Sequence, residues 1–222
     1  MGAAKIRKKN GTYFGQPNHV PSEPTVGTVG GYRYTESQYQ EFIACEEAVV
    51  AIHESSHAVA AFLLKVPIQG MSFYSPEHPR ATVAVAVVEA GLPEPEMLAK
   101  STDERWVHGC EHAFISLAGV YGCSREGFSE NPFHKRQRDS HIDEASSNLY
   151  HIGCVPTDEI NVELVCLLGA VIQIFNKPIV QEMVRRLANE FLNRRKLDGA
   201  EIKQILQQVL ESGISEESGR AL

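Results

Sequence analysis

Apolar residues fall into helical spacing from Thr35 onward. Phe42, Ile43, Val49, Val50, Ile52, Val59, Phe62 and Leu63 sustain the period through Leu64, and Pro67 ends it. Between Ala48 and Leu64 the pattern is apolar on nearly every side, which predicts a central, buried helix. Two extended runs follow, Ile68 to Tyr74 and Ala81 to Glu89, joined by Ser75-Pro76-Glu77-His78-Pro79-Arg80. β-Branched residues alternate through the second run, so a hairpin is expected there, ended by Gly91, Pro93 and Pro95. Helices are then predicted over 103–121 and, after a loop through Pro132, over 140–152, 159–175, 178–194 and 199–212. Ahead of all this, glycines and prolines mix without any apolar period, so residues 1–34 read as a flexible or loosely docked arm. The body of the fold is expected over 35–215, with 216–222 as a tail. Helix, hairpin, then helices is the order of an α+β domain, mainly helical with a small β-hairpin or sheet.

Composition narrows the function classes. The chain has 222 residues, 43% hydrophobic and 22% charged, enough for a real core and unlike a mainly disordered chain. Its formal charge of −7 argues against binding nucleic acid through bulk charge. The basic stretch Arg185, Arg186, Arg194, Arg195, Lys196 reads as a solvated helix end, and the lone Trp106 as a packing anchor. Five cysteines form no CxxC pair, consistent with reduced thiols. No apolar run approaches the ~20 residues of a membrane span, and the basic Met1–Asn10 segment has no apolar stretch behind it. A soluble, cytoplasmic protein is expected.

The chemistry sits inside the central helix. His53-Glu54-Ser55-Ser56-His57 is an HExxH motif, whose two histidines at i and i+4 share a helix face and can reach one metal ion. Two imidazoles and a carboxylate in an otherwise apolar helix are costly to bury unless something satisfies them, and a metal does so. Zn2+ suits the pattern, because two nitrogens plus a third ligand leave a position open for water. Glu54, next to the first ligand, is placed as general base toward a metal-activated water and then as acid toward a leaving amine. A second pair competes: His108-Gly109-Cys110-Glu111-His112 reads HxxEH, with the same spacing. Gly109 weakens the helix there, and two solvated or hydrogen-bonded histidines are the simpler reading.

Beyond Ala48 the chain resembles the peptidase domain of the FtsH-type (AAA) zinc proteases. The likeness covers roughly residues 45–210. It is carried by the HExxH helix continuing as Ala58-Val59-Ala60, by Pro67 and the hairpin, by Ile115-Ser116-Leu117-Ala118-Gly119, and by Leu197-Asp198-Gly199-Ala200-Glu201-Ile202. The resemblance implies a zincin-like domain whose edge strand lines a substrate groove. It also implies an acidic third ligand at the start of a helix downstream of Gly119. Two positions compete for that role: helical register with Ala145 and Leu149 selects His141, whereas residue type selects Asp139. Asp143 reads as an ordinary first-turn charge. The chain departs from the family pattern in having Ser56 in place of a glycine, an acidic residue displaced to Glu126, and no GxxxxGK[ST] loop.

These readings lead to a zinc-dependent endopeptidase that cuts peptides or unfolded segments, with a separate unfoldase or adaptor needed for folded substrates. A noncatalytic peptide- or partner-binding module on the same fold is the alternative from another class, and a metal hydrolase acting on a non-peptide substrate is a third. His19, in the arm, is a candidate blocking ligand.

Overall fold

The computed structural model describes the backbone of residues 25–29, 32–75, 78–85, 100–128 and 132–219, and side chains within 47–73, 100–127 and 137–212. By compactness the chain divides into Met1–Ala48 and Val49–Leu222. In the first unit, β1 (Thr25–Val29) pairs antiparallel with β2 (Tyr32–Thr35). The expected arm therefore carries a hairpin. Gly27 and the threonines three residues apart in β1 leave no strict alternation there to detect. His19 lies outside the described residues.

Helix α1 spans Glu36–Leu63. Its second half is the centre of the larger unit: Val49, Val50, Ala51, Ala58, Val59, Ala60 and Ala61 are fully buried, as an all-round apolar helix requires. It ends where Lys65 turns left-handed (φ 61°) and the Val66 N–H bonds back to the Ala61 carbonyl at 2.9 Å, just before Pro67. β3 (Ile68–Ser75) and β4 (His78–Val85) form the expected antiparallel hairpin. β4 begins three residues earlier than the alternation suggested.

α2 (Thr102–Cys123) opens on a reciprocal cap between Ser101 and Glu104 and runs on through a π turn at Ser124–Phe128. α3 (Pro132–Ser147) continues as a π turn over Asn148–Ile152. It starts eight residues before the predicted position. Proline is well tolerated at the first helical residue, and a polar opening run such as Lys135 to Asp139 leaves no apolar period to detect. α4 (Ile160–Phe175), α5 (Pro178–Arg194) and α6 (Gly199–Gly219) follow. α6 reaches into the segment expected to be a tail.

α5 buries Val180, Met183, Val184, Leu187, Ala188 and Phe191, an i, i+3, i+4, i+7, i+8, i+11 stripe. Phe191 stacks on Phe73 of β3 at 4.4 Å, and Arg195 lies 4.0 Å over the other side of that ring system. A third strand, β5 (Lys196–Asp198), pairs antiparallel with β3, giving the order β4-β3-β5. The Leu197-Asp198-Gly199-Ala200-Glu201-Ile202 segment accounts for this corner. Leu197 and Ile202 are fully buried, and Asp198 and Glu201 cap each other's backbone N–H at 2.8 and 2.9 Å. A Cβ at Gly199 would come within 1.9 Å of the Ile68 carbonyl oxygen. Those residues hold the sheet to α6.

The second unit is thus mostly helical with a small antiparallel sheet, an α+β arrangement. Trp106 does not anchor packing, being 44% exposed. Among the described residues, no single helix is long and apolar enough to cross a membrane.

Candidate metal centre

The site is built from two helices. α1 presents His53 and His57 one turn apart, and α3 brings His141 to them across 88 residues of sequence. His53 Nε2 lies 2.9 Å from His141 Nε2 and 3.0 Å from His57 Nε2. One nitrogen from each of the three residues falls within 4.8 Å of the others, close enough to share a metal ion. His53 and His57 are buried and His141 is nearly so.

Hydrogen bonds on the far side of two rings determine what the near side offers. His57 Nδ1 is 2.7 Å from the Ile115 carbonyl oxygen, which can only accept, so Nδ1 carries the hydrogen. His141 Nδ1 is 2.8 Å from Glu144 Oε2. The Glu144 carboxyl is held below its usual range, chiefly by that bond to His141, so it too accepts. Burial, and then the neighbouring His141, push His57 down to about 4, so its ring is neutral at pH 7. His57 therefore turns a bare Nε2 lone pair toward His53 Nε2, and His141, whose Nδ1 is committed to Glu144, faces the same atom through its own Nε2. That nitrogen carries at most one hydrogen and can satisfy only one of them. A cation satisfies all three, and the outward partners, a carbonyl and a carboxylate, are those that orient metal-bound histidines.

The floor of the cluster leaves room for the rings. A Cβ at Gly119 of α2 would sit 2.4 Å from His57 Nε2 and 3.0 Å from His53 Cε1, so only glycine leaves the imidazoles room. One turn further, a Cβ at Gly122 would meet Ser56 Oγ at 2.0 Å. Ser56 is accommodated in α1 because glycine faces it; its hydroxyl donates back to the Ile52 carbonyl at 2.7 Å.

Of the two third-ligand candidates, the structure brings only His141 to the cluster. Asp139 is exposed and paired with Arg138 at 3.1 Å. On a helix that already runs through position 139, residues 139 and 141 point some 200° apart, so register outweighs residue type. Asp143 is exposed, as expected of a plain surface charge. Glu54 is 8% exposed, inside the buried stretch of α1. Glu126 pairs with Arg125 and with Arg185 of α5, at 3.2 and 3.1 Å. Sequence reasoning missed Glu144, three residues after His141 and hence one turn along the same face, and the Ile115 carbonyl, which no side-chain pattern could reveal.

No family model matches the chain, and comparison with curated proteins finds no significant relative.

A second buried histidine, His112, is also pushed down to about 4, first by burial and then by His108. His57 and His112 both titrate near 6.5 in the unfolded chain. Between pH 6.5 and about 4 the unfolded chain therefore binds more protons than the folded one, and folding stability must fall as the pH falls through that window. Denaturant unfolding of chelator-stripped protein from pH 7.5 to 4 is expected to show this decline. A profile flat from pH 7 to 5 contradicts it.

Proposed function

We propose that the chain is a zinc-dependent endopeptidase with the zincin-like architecture of the FtsH-type peptidase domain, acting on peptides or unfolded protein segments. The observation that carries this reading is the convergence of His53, His57 and His141 through Nε2 atoms 2.9 and 3.0 Å apart, with Glu54 adjacent to the first of them. Three imidazoles suit zinc, as they do the other borderline divalent ions, and leave a coordination position for solvent. Zinc, when bound, supplies Lewis acidity that lowers the pKa of water and polarises a carbonyl.

The chain's own residues do the rest. His57 and His141 are locked by Ile115 and Glu144 in the tautomers that keep Nε2 free for coordination. Glu54 accepts the proton of the attacking water and returns it to the departing amine nitrogen as the C–N bond breaks, so no net proton is consumed. β4 stands at the end of the β4-β3-β5 sheet, and among the described residues it pairs only with β3. Its other backbone edge, which has no strand partner among the described residues, is the one we assign to aligning an extended peptide by strand addition, which selects unfolded or flexible substrates.

Elemental analysis of purified wild type, Asp139→Ala and His141→Ala, joined to cleavage of a labelled unfolded protein, tests the reading. About one zinc per chain is expected in wild type. His141→Ala should lose both metal and activity, and Asp139→Ala should keep both. Wild type that takes up no metal when zinc is supplied would overturn the proposal.

A further inference from the structure

The second histidine pair lies outside the cluster of His53, His57 and His141. On α2, His108 Nε2 and His112 Nε2 face each other at 3.4 Å, with rings perpendicular (90°) and centroids 4.7 Å apart. The His53–His57 pair has nearly the same arrangement, 86° and 4.6 Å. Each is an i, i+4 clip with both Nε2 atoms turned to one point.

Three observations favour a ligand there. The first is the separation: two nitrogens each about 2.1 Å from one ion at the tetrahedral angle lie about 3.4 Å apart. The 3.4 Å between His108 Nε2 and His112 Nε2 matches that separation, and it stands at the long end of the range for an N–H···N hydrogen bond. The second is that His108 is oriented as metal-bound histidines are. Its Nδ1 meets Glu111 Oε2 at 3.1 Å, leaving Nε2 to face His112. The third is the neighbourhood. Glu144, which accepts from His141, also acts electrostatically on His112, so two carboxylates bear on the pair.

Gly109 is no obstacle. A Cβ there would come within 2.6 Å of the Gly153 backbone, so the glycine serves a close crossing of the chain, and α2 remains continuous through both histidines. His112 is 3% exposed, whereas the His108 and Glu111 side chains are 27% and 26% exposed. One nitrogen is thus fixed in the core and the other opens to solvent.

We propose that His108 and His112 form a second cation site, a two-imidazole clip for a borderline divalent transition metal, completed by water. Two protein nitrogens bind more weakly than three, so this site fills after the first. It does not depend on the peptidase reading, since it concerns binding alone.

The probe is Co2+, titrated into the full chain after chelator stripping and followed by d–d absorption and calorimetry. Wild type is expected to show two steps, a tight equivalent and a weaker one. His108→Ala, altered at a partly exposed position, should lose the weaker step and keep the tight one. In wild type titrated instead with diamagnetic Zn2+, whose effect on ring protons is local, the His108 ring-proton resonances should shift chiefly during the second equivalent, a reading that needs no variant. Saturation at one equivalent overturns the proposal. So does a second step that persists in His108→Ala, which would place the ion elsewhere, or one that leaves the His108 resonances unmoved.

Discussion

Glu54→Gln is expected to lower the rate of peptide hydrolysis by about 10²–10⁴-fold while metal content stays at the wild-type level. The substitution is nearly isosteric, so the packing of a side chain only 8% exposed in the middle of α1 is kept. The three converging nitrogens belong to other residues, so nothing in the metal cluster is removed. What is lost is the ability to take a proton, the step assigned to this carboxylate. The experiment therefore separates catalysis from binding more cleanly than any histidine variant, which would remove both. Rates that fall while zinc content holds support the endopeptidase. If wild type cleaves none of a broad set of unfolded proteins, and Glu54→Gln binds a partner as well as wild type does, the same fold is a binding module. Activity that survives in Glu54→Gln assigns the base elsewhere.

Half of this site was legible in the sequence because helical periodicity writes it there. His53 and His57 lie four residues apart on one helix, and any intact helix brings them together. His141 is a different case. It meets them from 88 residues away, and the sequence left it level with Asp139 because the start of α3 was misplaced. With the helix beginning at Pro132, position 141 follows from register. The polar opening turns of α3 gave no apolar period from which to see that. Glycine positions were legible as letters but not as contacts: Ile115-Ser116-Leu117-Ala118-Gly119 signals a close approach without saying to what. The structure answers that Gly119 lies against the imidazoles, and that the Ile115 carbonyl in the same run sets the His57 tautomer. One short stretch of α2 thus supplies both the room and the orientation. By contrast, Leu197 to Ile202 does structural work, a strand, a cap and a buried pair, at the far side of the sheet.

Gly119→Ala follows as the second large effect. The added methyl would begin 2.4 Å from His57 Nε2 and 2.5 Å from Cε1, far inside van der Waals contact. His57 cannot swing away freely, because its Nδ1 is held by Ile115 at 2.7 Å and the ring is buried. Either the imidazole gives up that bond or α1 and α2 move apart through a core that is close-packed on both sides. Overpacking of this kind costs about 1–3 kcal/mol, against which the better helix propensity of alanine returns about 1 kcal/mol. The net change in stability should be small. The larger consequence is for the metal, since a displaced ligand loses its geometry: affinity is expected to fall about 100-fold, the upper end of what removing a ligand's supporting partner does. Gly169→Ala is the matched control. It too lies inside a helix, but no atom stands within 4 Å of its prospective Cβ. Stability should rise there by up to about 1 kcal/mol with metal affinity unchanged. Zinc competition with a chromogenic chelator, run beside thermal unfolding of the stripped proteins, reads both quantities. Equal metal affinity in the two variants would mean that Gly119 does not shape the site and that the imidazoles can shift without penalty.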